Sequence, residues 1–147
     1  MLSAHRSFVT SSAPDTVHAY LADFTHAEEW DPGTVECTRL DGDGGVGTRY
    51  RNVSSFLGRT TEVQYVAEEI TAPTFVHFAG HNAQFEGHDR IRLEAVGGGT
   101  QVTYDASFSF KGASKVAVPL VALYLPILAN KTVAQLKQSL DRLGPAA

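Results

Sequence analysis

Apolar and polar residues alternate through the middle of this chain and fall into spacings of three and four at its end. Alternation puts every second side chain on one face of a strand. Between Thr34 and Phe110 it predicts strands at roughly 34–41, 47–56, 60–70, 74–80, 84–95 and 100–110. The last is the clearest: Val102, Tyr104, Ala106, Phe108 and Phe110 alternate with Gln101, Thr103, Asp105, Ser107 and Ser109. In the strand before it Phe85, Ile91 and Leu93 oppose Glu86, His88, Arg90, Arg92 and Glu94, and Gly97-Gly98-Gly99 predicts the hairpin turn between the two. Residues 60–80 leave two inward sets open, Val63 with Tyr65 or Val66 with Ile70.

Helical patterns flank this region. Ala4 to Ser11 reads as a first strand, and Pro14 and Asp15 suit the first turn of a helix whose buried stripe is Val17, Leu21 and Phe24. A second short piece, Thr25 to Trp30, is stopped by Asp31-Pro32-Gly33. At the other end, Ser114 to Leu143 reads as one long helix, its stripe formed by Ala122, Leu125, Ala129, Val133, Leu136, Leu140 and Leu143. Pro119 suits a first helical position after a separate turn at Lys115 to Val118, and Pro126, inside the helix, predicts a kink. Strand, helix pair, six strands and long helix predict an α+β helix-grip architecture: a curved seven-stranded antiparallel sheet wrapped around the C-terminal helix, as a single domain over residues 1–147. Ala122 and Ala129 are small, so space for a ligand is expected between them and the sheet. Leu120, Leu123, Tyr124 and Ile127 form a second apolar face that must meet something else.

Composition narrows the functional classes. A formal charge of −4 with both signs interspersed lacks the basic footprint of a nucleic-acid binder. Cys37 is the only cysteine, which leaves no internal disulfide and no multi-thiolate metal site. The first ten residues lack a signal-peptide core, and the apolar run Val116 to Ala129 is shorter than the ~20 residues that span a bilayer. The expectation is therefore no integral membrane segment and a cytoplasmic location. The acceptor patterns at Asn52 and Asn130 are chance matches without secretion.

Few patterns carry chemistry. Gly42-Asp43-Gly44-Gly45-Val46-Gly47 has dinucleotide spacing but leads into a strand, where phosphate binding needs a helix N-terminus, so it reads as a hairpin. His77 and His81 lie ~13 Å apart along one strand, too far to share an ion. With Arg49 and Arg51 facing water, Tyr50, Asn52, Ser54 and Phe56 turn inward, and Asp89 falls on the inward side of its own strand. A buried carboxylate and amide need partners, either neighbouring side chains or a ligand. Asp89, Tyr104 and Tyr50 are the candidates to move a proton, Asp89 foremost, and Asn52 could polarise a carbonyl. Trp30 reads either as a core plug or as an aromatic wall at a cavity mouth.

The order of elements and several short motifs resemble the START-like, or SRPBCC, superfamily, in particular its polyketide cyclase/dehydrase and lipid-transport branch. The matching residues are Ala13-Pro14-x-x-Val17, Trp30-Asp31-Pro32, Gly45-Val46-Gly47-Thr48, Pro73, Gly98-Gly99-Thr100-x-Val102-Thr103 and Leu136-Lys137-x-x-Leu140. The resemblance implies a deep apolar cavity for a lipid, polyketide or similar molecule, with no single reaction attached. The expected lining is Trp30, Tyr50, Asn52, Phe85, Asp89, Tyr104, Phe108, Ala122, Leu125 and Ala129. Three functions stand open: a binder of a hydrophobic small molecule, a polyketide cyclase or dehydratase without metal or nucleotide cofactor, and an interaction module. The last would use the Leu120, Leu123, Tyr124 and Ile127 face, for example to form a homodimer.

Overall fold

The computed structural model describes residues 1–56 and 58–144. Strand β1 (Leu2–Thr10) leads to helix α1 (Pro14–Ala22), a 3-10 turn (Phe24–His26) and the short helix α2 (Ala27–Trp30). Strands β2 (Thr34–Asp41), β3 (Arg49–Phe56), β4 (Arg59–Thr71), β5 (Phe75–His81), β6 (Phe85–Val96) and β7 (Gly99–Phe110) follow. A 3-10 stretch (Gly112–Ala117) then runs into helix α3 (Val118–Asp141). The seven strands form one antiparallel sheet in the order β1-β7-β6-β5-β4-β3-β2. The α+β architecture expected from the residue pattern is the one observed. Its one long-range pairing sets β1 beside β7, with Leu2 opposite Phe108 and Thr10 opposite Thr100.

Turn chemistry closes the hairpins. Gly42, Gly44 and Gly47 all have positive φ in the β2–β3 connection, and a Cβ at Gly42 would stand 2.6 Å from the Thr48 hydroxyl, so the glycine-rich segment is the hairpin its context indicated. The ambiguity in residues 60–80 has a physical origin in β4. Val63, Tyr65 and Ala67 are buried, the pairing with β5 then shifts between Ala67 and Glu69, and Ile70 returns to the core side. A bulge adds one residue and reverses the alternation, so Val63 and Tyr65 face the core before it and Ile70 after it, while Val66, expected with Ile70, lies before the bulge on the other face.

Apolar residues of α1, the 3-10 turn and α2 (Val17, Leu21, Phe24, Ala27 and Trp30) are buried against the sheet. The Phe24 ring packs 4.5 Å from Phe78 and 4.6 Å from Tyr65, centre to centre. The C-terminal half of α3 closes the same core with Leu136 and Leu140, both fully buried. Its end is pinned to the N-terminal segment, because Ser12 Oγ donates to the Leu140 carbonyl at 2.6 Å and Thr10 Oγ1 donates to Asp141 Oδ1 at 2.6 Å. Gln135 Nε2 also donates to the Glu29 carbonyl at 2.9 Å, tying α3 to α2.

Helix α3 begins later than the pattern indicated. Residues 112–117 form the 3-10 stretch, and Pro119 sits in the first helical turn, where its missing N–H leaves no bond unmade. Pro126 is accommodated inside the helix. The buried face of the first half runs through Val121, Leu125 and Ala129, residues four apart. Ala122, expected on that face, is exposed at its margin; it lines a separate surface pocket of about 250 Å³ with Met1, Ala4 and Arg6. By length and composition alone, Gly112–Asp141 is apolar enough to cross a membrane, and 17% of its apolar 18-residue window is buried. Leu136 and Leu140, however, are fully buried against the sheet.

Candidate functional site

The first half of α3 does not close on the sheet as the second half does. Between them lies a cavity of about 770 Å³, within the range of small-molecule sites. Leu125, Leu128, Ala129 and Thr132 supply its helix wall, and Val63, Tyr65, Phe85, Tyr104, Ala106 and Phe108 supply the sheet wall. Phe56, Arg59, Gln84, Val116 and Leu120 surround the side toward the β3–β4 hairpin and the 3-10 stretch.

Two strand glycines help keep this space open. Gly80 on β5 and Gly87 on β6 are cross-strand partners. A Cβ at Gly80 would lie 2.6 Å from the Tyr65 ring, and one at Gly87 would lie 2.6 Å from the Phe85 ring. Both aromatic rings therefore lie over bare backbone, and any larger residue would push them away.

The polar groups gather around Asp89. Tyr104 Oη donates to Asp89 Oδ1 at 2.7 Å, and both residues are buried. Burial pushes the Asp89 carboxyl up to about 7, helped by the nearby Asp31 charge and opposed by the Tyr104 hydrogen bond. Asp31 also lines the cavity and is raised by burial, but its carboxylate is occupied: Oδ1 accepts from Gly33 N at 3.0 Å and Oδ2 from Thr34 Oγ1 at 2.8 Å. Tyr65 is held well above an ordinary tyrosine by burial and by the Asp89 and Asp31 charges, and its hydroxyl makes no hydrogen bond among the described residues. Trp30 Nε1 is buried without a partner.

Of the residues singled out in the sequence, Phe85, Asp89, Tyr104, Phe108, Leu125 and Ala129 line this cavity. Trp30, Tyr50, Asn52 and Ala122 do not. Trp30 is a core plug, its ring centre 6.2 Å from Phe24 and 6.1 Å from Tyr104. Tyr50 packs against Phe24 and Phe78, while Asn52 donates to Thr34 Oγ1 at 3.1 Å and accepts from Ser54 Oγ. The inward face of β3 thus passes from packed core at residues 50 and 52 to cavity wall at Ser54 and Phe56, because the short helices cover only one end of the sheet. Tyr65, Asp31 and Thr132 were missed. So were Gly80 and Gly87, although a glycine inside a strand signals a close approach.

Away from the cavity, His77 Nε2 lies 2.9 Å from His88 Nδ1 across β5 and β6, a pairing that spacing along one strand could not show. No group of three potential ligands suited to a metal ion occurs among the described residues.

A curved antiparallel sheet held against a long helix, with an apolar cavity between them, defines a START-like protein of the helix-grip class. The chain belongs to the family described as polyketide cyclase / dehydrase and lipid transport, which it matches over residues 1–146. Its fold is similar to a START superfamily protein from Mycobacterium smegmatis, at a TM-score of 0.79 and 14% identity over 97% of this chain and 99% of that one. It is also similar to the Zhui aromatase/cyclase from Streptomyces sp. R1128, at 0.78 and 11% over 96% and 94%. Ara h 8.0201 matches at 0.59 and 17% over 92% and 97%. At these identities the likeness is one of fold. No curated protein matches the sequence.

Proposed function

We propose that the chain binds and carries a hydrophobic small molecule, a lipid or polyketide-like compound, in the cavity between the sheet and the first half of α3. The observation that carries this reading is the cavity of about 770 Å³, walled by aromatic and aliphatic side chains and kept open at Gly80 and Gly87. Family membership supports a hydrophobic ligand and leaves its identity open. Native mass spectrometry of the purified protein, followed by organic extraction, tests it. The expected result is a co-purifying molecule of defined mass, or uptake of an aromatic polyketide analogue by the stripped protein; failure of both would overturn the reading.

A second reading is favoured by one observation, the Asp89–Tyr104 pair inside the cavity. A carboxyl pushed up to about 7 can give or take a proton near neutrality. On that reading the cavity folds a flexible polyketide chain and Asp89 moves the proton in a cyclisation or dehydration. Asp89→Asn should then abolish turnover while binding persists; unchanged turnover removes Asp89 from the chemistry. Of the second apolar face, Leu120 borders the cavity and Tyr124 packs against Phe56, whereas Leu123 and Ile127 are exposed, which supports self-association there, and sedimentation of the wild type against Leu123→Asp tests it.

A further inference from the structure

The polar groups facing the cavity differ sharply in how well they are satisfied. Asp31 is fully engaged by its own loop, whereas Asp89 receives one hydrogen bond, from Tyr104 to Oδ1, and Oδ2 receives none among the described residues. Tyr65, more than nine-tenths buried on the same wall, has a hydroxyl with no partner at all among the described residues. These two unmet groups lie on β4 and β6, and the Tyr65 ring is held in place over Gly80. Unmet polar groups in an apolar wall are costly unless something in the cavity pairs with them.

The distribution of charge restricts what that can be. Two carboxyl groups line the cavity, and its cationic lining residue among those described is Arg59, exposed at the start of β4. A carboxylate brought to Asp89 would meet a like charge with no cation beside it. A neutral hydroxyl, in contrast, can donate to Asp89 Oδ2 and exchange a hydrogen bond with Tyr65.

Resting on the binding reading above, we propose that the ligand is an apolar molecule with a neutral hydroxyl group, an alcohol or a phenol, seated inward against Asp89 and Tyr65, and that fatty acids are rejected. Specificity arises here from what the site leaves unpaired: a ligand without the hydroxyl strands two buried groups, and one with a carboxylate adds repulsion.

Trp30, the only tryptophan, stands 6.1 Å from Tyr104 and serves as an internal reporter. Its fluorescence is followed at pH 8 during titration with 1-decanol, 4-heptylphenol, decanoate and decane, with calorimetry as a second readout. One or both of the hydroxyl compounds should bind at least about tenfold more tightly than decanoate, and whichever is tighter identifies the hydroxyl as aliphatic or aromatic. Tyr65→Phe should weaken the hydroxyl compound about fivefold and leave decane unchanged. Asp89→Asn should bring decanoate to within about threefold of the alcohol. Decanoate binding as tightly as both hydroxyl compounds overturns this inference and leaves the cavity reading intact. Absence of binding by all four overturns this inference, and the cavity reading falls with it only if the protein also carries no co-purifying molecule and the stripped protein takes up no polyketide analogue.

Discussion

The two halves of α3 belong to one continuous helix yet meet opposite surroundings. The second half buries Leu136 and Leu140 completely, is pinned through Ser12 and Thr10, and faces the α1–α2 core. The first half is apolar on both sides: its inner face roofs the cavity with Leu125 and Ala129, and its outer face leaves Leu123 and Ile127 exposed. The same kind of side chain therefore stabilises the fold in one half and shapes a binding space in the other. Hydrophobic periodicity marks both alike, and only the facing residues separate them.

The largest test of this contrast is a matched pair of truncations. Leu136→Ala should cost about 4 kcal/mol in urea denaturation, because it opens a void in a filled core. Leu125→Ala should cost less than half of that, since its neighbours already border open space; equal losses would mean the cavity is not open in solution. Next in size is the pH dependence set by Asp89 on the opposite wall. Its carboxyl titrates near 7 in the folded chain and near 3.8 as a free side chain, so the folded state binds the extra proton between those values. Stability therefore falls as pH rises through that window and levels above about 7. Between pH 5 and 8 the loss should be about 3 kcal/mol, and Asp89→Asn should flatten it.

Gly80→Ala should follow at about 2 kcal/mol, since the new methyl would meet the Tyr65 ring at 2.6 Å and force it into the cavity. Ligand uptake should fall with it. The smallest effect belongs to the outer face: Leu123→Asp should change stability by less than about 0.5 kcal/mol. A larger loss in dilute protein would show that this face is already covered.

The fold was legible because its signals are local. Alternation in β6 and β7, glycines at the turns and the spacing of three and four in α3 each act over a few residues. The candidate site was legible only where strand parity decided it, as for Asp89, Tyr104 and Phe108. Parity says that a side chain points inward, but not whether it meets helix or empty space, so Tyr50 and Asn52 could not be separated from Ser54 and Phe56. Ala122 failed for a similar reason, because a stripe with members three and four apart is wide and only packing reveals its margin. Gly80 and Gly87 matter through a cross-strand pairing that the chain order does not display.

The pairing of β1 with β7 sets an order on folding. His5 and Asp105 are paired side chains whose sequence separation is 100 residues. During synthesis at about 5–20 residues per second, the first strand must wait roughly 5–20 seconds for its neighbour to be made. Such distant contacts add loop-closure cost to the folding barrier. Since α3 is anchored to Thr10 and Ser12, the roof of the cavity likewise depends on contacts between segments made 131 and 128 residues apart.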